Sequence, residues 1–133
     1  MRFWLCLGAA NGFIAMAMGV YAAHGLEAEA QERARQWVET GATYQMVHAL
    51  ALLAVAVLYG RSPGAARRWL AVAGWGFVAG VVLFSGGLYA MALAGLSSLG
   101  PVVPSGGVAY FAGWAALFFA GLRYSPGAGS PSS

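Results

Sequence analysis

Four apolar stretches, at about 3–23, 42–60, 69–94 and 107–122, contain no charged side chain at all. A helix crosses a bilayer core with about 20 predominantly apolar residues. Hydrocarbon offers no partner to a peptide N–H or C=O, so each crossing must pair its own backbone as a helix. The expected fold is therefore all-α, a four-transmembrane-helix bundle forming one integral membrane domain over 1–124. The fourth stretch is at the short limit and calls on Arg123 to snorkel and Tyr124 to sit among headgroups. With 60% hydrophobic and 8% charged residues, the chain lacks the polar cover of a water-soluble domain. It also lacks the basic stripe that a nucleic-acid-binding face requires, so no nucleic-acid partner is expected and membrane lipids are.

The charges lie in the joints. Arg2 precedes the first stretch; Arg61, Arg67 and Arg68 fill the second joint; Arg123 follows the fourth stretch. Placing both termini in the cytoplasm puts five arginines inside and two, Arg33 and Arg35, outside. Short-loop arginines favour the cytoplasmic face, which predicts a multi-pass protein of the bacterial inner membrane with N and C termini cytoplasmic. In the first outer joint, Leu26, Ala30, Ala34, Trp37 and Val38 fall at helical spacing, with Glu27, Glu29, Glu32, Arg33, Arg35 and Gln36 on the remaining face. This predicts a short interfacial amphipathic helix at about 26–39, set off by bends at Gly25 and Gly41. The tail at 125–133 is Ser-, Gly- and Pro-rich and is expected to be disordered. The first stretch could imitate a signal peptide, but its length and its patterned Gly8, Asn11, Gly12 and Gly19 favour an uncleaved helix. Cys6, the sole cysteine, is expected to act as a buried small hydrophobe.

Helices in lipid attract one another by close backbone approach and interhelical hydrogen bonds. Gly8 and Gly12, and again Gly76 and Gly80, stand four residues apart, and Gly113 lies in the fourth stretch. These glycines, with Gly86 and Gly87, are the expected packing positions. Ser85-Gly86-Gly87 marks either a close crossing with a small kink or an opened turn that shows carbonyls to a ligand. Pro101 and Pro104 end the third stretch and set up the fourth.

The polar residues inside the stretches are the candidate site. Asn11 needs a partner on another helix. Tyr44, Gln45 and His48 share one face, and His24 approaches the same level, with Ser85 and Tyr89 further along. A neutral, structurally satisfied His48 is one reading. A quinone, lipid-headgroup or proton-relay site is another, because an ionisable group in a membrane is a functional candidate. Paired-histidine haem or metal ligation is the third, and the depth mismatch between His24 and His48 tells against it. Zinc lacks a completing set of ligands. No catalytic residue, cofactor-binding motif or metal cluster is expected, and no carboxylate lies within a span to carry protons or cations.

The pieces Gly8-Ala9, Tyr21-Ala22-Ala23-His24-Gly25-Leu26, Tyr44 through Ala51, Leu83 through Tyr89, Pro104 through Gly107 and Gly113-Trp114 run in order along nearly the whole chain. Together they resemble the small membrane-protein family that includes the bacterial DUF423 proteins and eukaryotic transmembrane protein 256. The resemblance departs mildly where Tyr21-Ala22 replace Phe-Gly, Gly87 replaces Ser and Ser105 replaces an aliphatic residue. It implies a multi-pass membrane protein and supplies no reaction. The leading expectation is a non-enzymatic accessory or assembly-supporting subunit, or a bundle that associates with itself or other membrane proteins through small-residue faces. The alternative is a small-molecule, quinone or lipid-binding component or carrier.

Overall fold

The computed structural model describes residues 1–26 and 31–125. These residues form α1 (Arg2–Gly25), α2 (Glu32–Arg61), α3 (Gly64–Gly80), α4 (Gly86–Ala94) and α5 (Val103–Leu122), and no strand is found among them. A π-helical turn at Val81–Ser85 joins α3 to α4 without a break, so Gly64–Ala94 acts as one span of 31 residues. The chain is an all-helical membrane protein with four spans. The tail expected at 125–133 lies outside the described residues apart from Ser125.

The separate interfacial helix is not what these residues form. Residues 27–30 lie outside the described part, but from Glu32 onward the chain is already α2, which runs through Gly41 without a bend. The physical reason is a continuous buried stripe: Val38, Gly41, Ala42, Gln45, His48, Ala49 and Leu52 follow one another at helical spacing. Ala34 and Val38 pack with Ala22 and Leu26 at the end of α1 and with Tyr89 and Ala92 on α4. The apolar face expected to lie on the membrane is thus the outward continuation of the inner face of α2. Its polar side carries the Glu32–Arg35 ion pair, and Arg33 lies 5.9 Å from the Trp37 ring.

α2 is the centre of the bundle. α1 packs along it on one side, the third span meets it on another, and α5 lies along α3. The larger core gathers Trp4, Leu52, Val55, Leu70, Phe77, Tyr110 and Ala116 from all four spans. Tight turns reduce the second joint to Ser62 and Pro63, with Gly64 at φ 59°. Gly95 takes φ 65° and closes α4 by donating to the Ala90 carbonyl, a left-handed cap that a side chain would strain. α5 begins at Val103 rather than 107, because Pro104 in the first turn forfeits no helical hydrogen bond. Its 20 residues then rise about 30 Å, which matches the hydrocarbon thickness without help from Arg123. Cys6, expected in the interior, is exposed on the outer side of α1, where lipid can cover an apolar thiol as well as protein can.

Candidate functional site

Two hydrogen-bonded groups of side chains occupy the interior facing α2. In the first, Asn11 donates from Nδ2 to the Leu7 carbonyl at 2.9 Å, and Gln45 donates from Nε2 to Asn11 Oδ1 at 2.9 Å. Tyr89 closes the series by donating from its hydroxyl to Gln45 Oε1 at 2.7 Å. The set ties α1, α2 and α4 together, and each amide orientation is fixed by what its neighbour can offer. In the second, Ser85 donates to the Gly41 carbonyl at 2.8 Å and lies 3.2 Å from the Tyr110 hydroxyl. Serine has one proton, already directed at Gly41, so Tyr110 is the donor to Ser85 Oγ.

His48 sits beside this group, its ring stacked on Tyr110 at 3.6 Å between centroids and 8° between planes. Nδ1 lies 2.6 Å from the Tyr44 carbonyl, and Trp114 donates from Nε1 to Nε2 at 3.0 Å. A carbonyl accepts only and an indole N–H donates only. His48 is therefore the neutral Nδ1–H tautomer with both nitrogens engaged. Neither nitrogen offers a lone pair to a metal or a proton to a substrate.

Glycines create the room for these aromatic rings. A methyl at Gly41 would stand 2.7 Å from Tyr89 Cε1, one at Gly113 would stand 2.6 Å from Phe77 Cδ1, and one at Gly80 would collide with the Tyr110 ring. A methyl at Gly76 would stand 2.8 Å from the Gly113 Cα, so α3 and α5 touch backbone to backbone. Gly8 faces Leu53 and the Ala49 carbonyl on α2, and Gly87 faces Val103. Gly12 and Gly86 have ordinary space, with the nearest atoms 3.9 Å and 3.6 Å from an added methyl.

The π turn ends on Ser85 and carries Phe84, which reconciles the two readings of Ser85-Gly86-Gly87. The helix widens locally, as π turns do at functional sites, yet it stays continuous and Ser85 points inward to α2. Outside the stacked His48–Tyr110 pair, Tyr44, Phe84, Gly107, Phe111 and Trp114 complete a cleft of about 410 Å³ between α2 and α5. Its walls are aromatic, and Tyr44 is exposed beside it.

His24 does not join this group. It is exposed at the end of α1 and lines a different cleft, about 530 Å³, between α1 and α2 with Glu39 and Thr43. The pairing of His24 with His48 is absent: His24 shares its cleft with Thr43, Met46 and Val47 of α2, whereas His48 shares its own with Tyr44. Among the described residues no cluster of His, Cys, Asp and Glu is placed to hold a metal. Tyr110 and Trp114 escaped the sequence reading, although they stand four residues apart on one face of the fourth span, and Tyr110 holds that span's only side-chain hydroxyl beyond its first turn.

The sequence profile of a family described as "Protein of unknown function (DUF423)" matches residues 18–107. The membrane protein YwdK of Bacillus subtilis is 39% identical over 124 residues, which cover 93% of this chain and 99% of the relative. The inner membrane protein YgdD of Escherichia coli K12 is 40% identical over 123 residues, covering 92% of this chain and 91% of the relative. A Haemophilus influenzae membrane protein of the same UPF0382 group is 38% identical over 120 residues, 90% of this chain and 94% of its own. No solved structure matches the fold.

Proposed function

This chain belongs to the DUF423 family of membrane proteins, and from that premise we propose a non-enzymatic accessory subunit that supports a larger membrane assembly. One observation carries the reading: the polar side chains buried inside the spans close their hydrogen bonds within the chain. Asn11, Gln45, Tyr89, Ser85, Tyr110 and His48 all have partners within the chain, and those bonds join one span to another or hold a ring in place. Paired networks of this kind rigidify a bundle, and the one buried side-chain polar atom without a partner among the described residues, Ser62 Oγ, lies between α2 and α3. The face offered to partners is the outside, where Phe13, Met16 and Val20 on α1 and Val108, Phe111 and Phe118 on α5 are exposed. The packing glycines Gly76 and Gly80 face α5 of the same chain, which removes them as an intermolecular interface. Contact with partners therefore runs through large apolar side chains of α1 and α5. Extraction in a mild detergent followed by native gel electrophoresis and mass analysis tests this. A species heavier than the chain is expected, and it should dissociate when Phe13 and Val20 are both changed to Ala. Recovery as a monomer from native membranes would refute the proposal.

The membrane is the cytoplasmic one and both termini lie in the cytoplasm, a placement supported by the inner-membrane name of the YgdD relative and by the arginine distribution. A C-terminal reporter active only on the periplasmic side should stay silent.

The aromatic cleft favours a second reading, a seat for a flat, lipid-soluble ligand such as a quinone. A ring entering between Tyr44 and Phe111 would find aromatic walls and the exposed Tyr44 side chain. Saturable quenching of tryptophan fluorescence by a short-chain quinone in nanodiscs, lost in Trp114→Phe, is the expected result. Quenching that rises linearly, or survives that change, would remove this reading.

A further inference from the structure

We propose that the arginine end of the bundle seats the phosphate headgroup of an anionic glycerophospholipid, between Arg68 and Arg123 and over Trp69. The start of α3 and the end of α5 enclose a cleft of about 350 Å³ lined by Ala65, Arg68, Trp69, Val72 and Arg123. Arg68 and Arg123 are exposed on its rim. Trp69 lies near Phe119, ring centroids 5.2 Å apart, next to Arg68 at the start of the span, and tryptophan is favoured where spans meet headgroups. Val72, one turn further into the span and 52% exposed, continues the cleft toward the hydrocarbon. Its shape suits a headgroup at the rim and an acyl chain along the groove.

Charge complementarity identifies the occupant. All four acidic side chains of the protein fall between Glu27 and Glu39 in sequence, and the described ones, Glu32 and Glu39, lie in the N-terminal part of α2, at the opposite end of the spans. Among the described residues, the end holding Arg2, Arg61, Arg67, Arg68 and Arg123 contains no Asp or Glu to neutralise them. Arg67 rests on the Tyr59 ring at 4.3 Å, whereas neither Arg68 nor Arg123 has a side-chain partner among the described residues. Two exposed guanidinium groups, one on the first turns of α3 and one just past the end of α5, line the same cleft and can donate to phosphate oxygens from both sides. A soluble anion would meet only this rim and leave the apolar groove empty, whereas a phospholipid fills both. The inference stands independently of the accessory role proposed above.

The test uses the full chain in nanodiscs of phosphatidylcholine with phosphatidylglycerol as the minor lipid, released into a mass spectrometer that counts retained lipids. The wild type should retain phosphatidylglycerol over phosphatidylcholine by on the order of tenfold, since each near-surface arginine adds a favourable increment. Arg68→Gln with Arg123→Gln should abolish that preference, while Arg2→Gln with Arg61→Gln, equal in charge change, should preserve it. Equal loss in both pairs would mean diffuse attraction and overturn the site. No preference in the wild type, unchanged retention in the first pair, or displacement of the lipid by inorganic phosphate would overturn it too. Thermal melting verifies that the variants fold. Should the double variant not fold, Arg123→Gln alone, beyond the last turn of α5, gives the same reading at a smaller ratio.

Discussion

Because the Tyr44 carbonyl only accepts and the Trp114 indole only donates, the tautomer of His48 is set by its neighbours. Trp114→Phe keeps much of the apolar contact but leaves Nε2 without a donor. A loss of about 1 kcal/mol in unfolding free energy is expected, the usual size of one interhelical hydrogen bond in a membrane protein. Denaturant titration in detergent measures it, with Phe119→Leu as a control that touches no hydrogen bond. Gln45→Leu should lose more, about 1–2 kcal/mol, because it strands both Asn11 Oδ1 and the Tyr89 hydroxyl. If Gln45→Leu leaves stability unchanged, the series through Asn11 is not a tie between helices. Sequence alone placed Tyr44, Gln45 and His48 on one helix face. It did not supply the partners of Tyr44 and His48, because Trp114 and Tyr110 reach them from a span that lies more than sixty residues away. Depth told against pairing His24 with His48, but the sequence could not say which side of α2 each imidazole faces.

At the level of elements, glycines matter by what stands opposite them. Gly76 meets the backbone of α5, and backbone cannot move aside as the end of a leucine can. Gly76→Ala should therefore destabilise the bundle by about 1–3 kcal/mol, the usual range for overpacking. Gly12→Ala, where the nearest atom is 3.9 Å away, should be neutral or gain up to about 1 kcal/mol from helix propensity. Parallel melting curves for the two variants check the contrast, and equal effects would show that spacing alone, not opposition, governs packing. The four spans were legible because apolar length is a local property. The continuity of α2 was not: the amphipathic signal at 34–38 is the same whether its apolar face meets lipid or Ala22 and Leu26 of α1. Gly41 looked like a bend for a similar reason, since a glycine required by the Tyr89 ring cannot be distinguished in sequence from one required by a turn.

On the scale of the whole molecule, the two ends differ in kind. One gathers five arginines, and the other carries the described carboxylates Glu32 and Glu39 together with Arg33 and Arg35. Replacing Arg61, Arg67 and Arg68 together by Gln should produce a mixed population of orientations, read by protease protection of a C-terminal tag. A single orientation in that variant would show that the remaining joints dictate topology. α2 spans both environments as one rod of 30 residues, about 45 Å long, against a hydrocarbon layer about 30 Å thick. Its first turns project beyond the layer, while Gln45 and His48 lie further along the same shaft, with no hinge between. Anything that contacts Glu32 or Arg35 thus touches the same unbroken shaft that carries the buried amide and imidazole, so the projecting end is the interior's most direct outlet to the aqueous side.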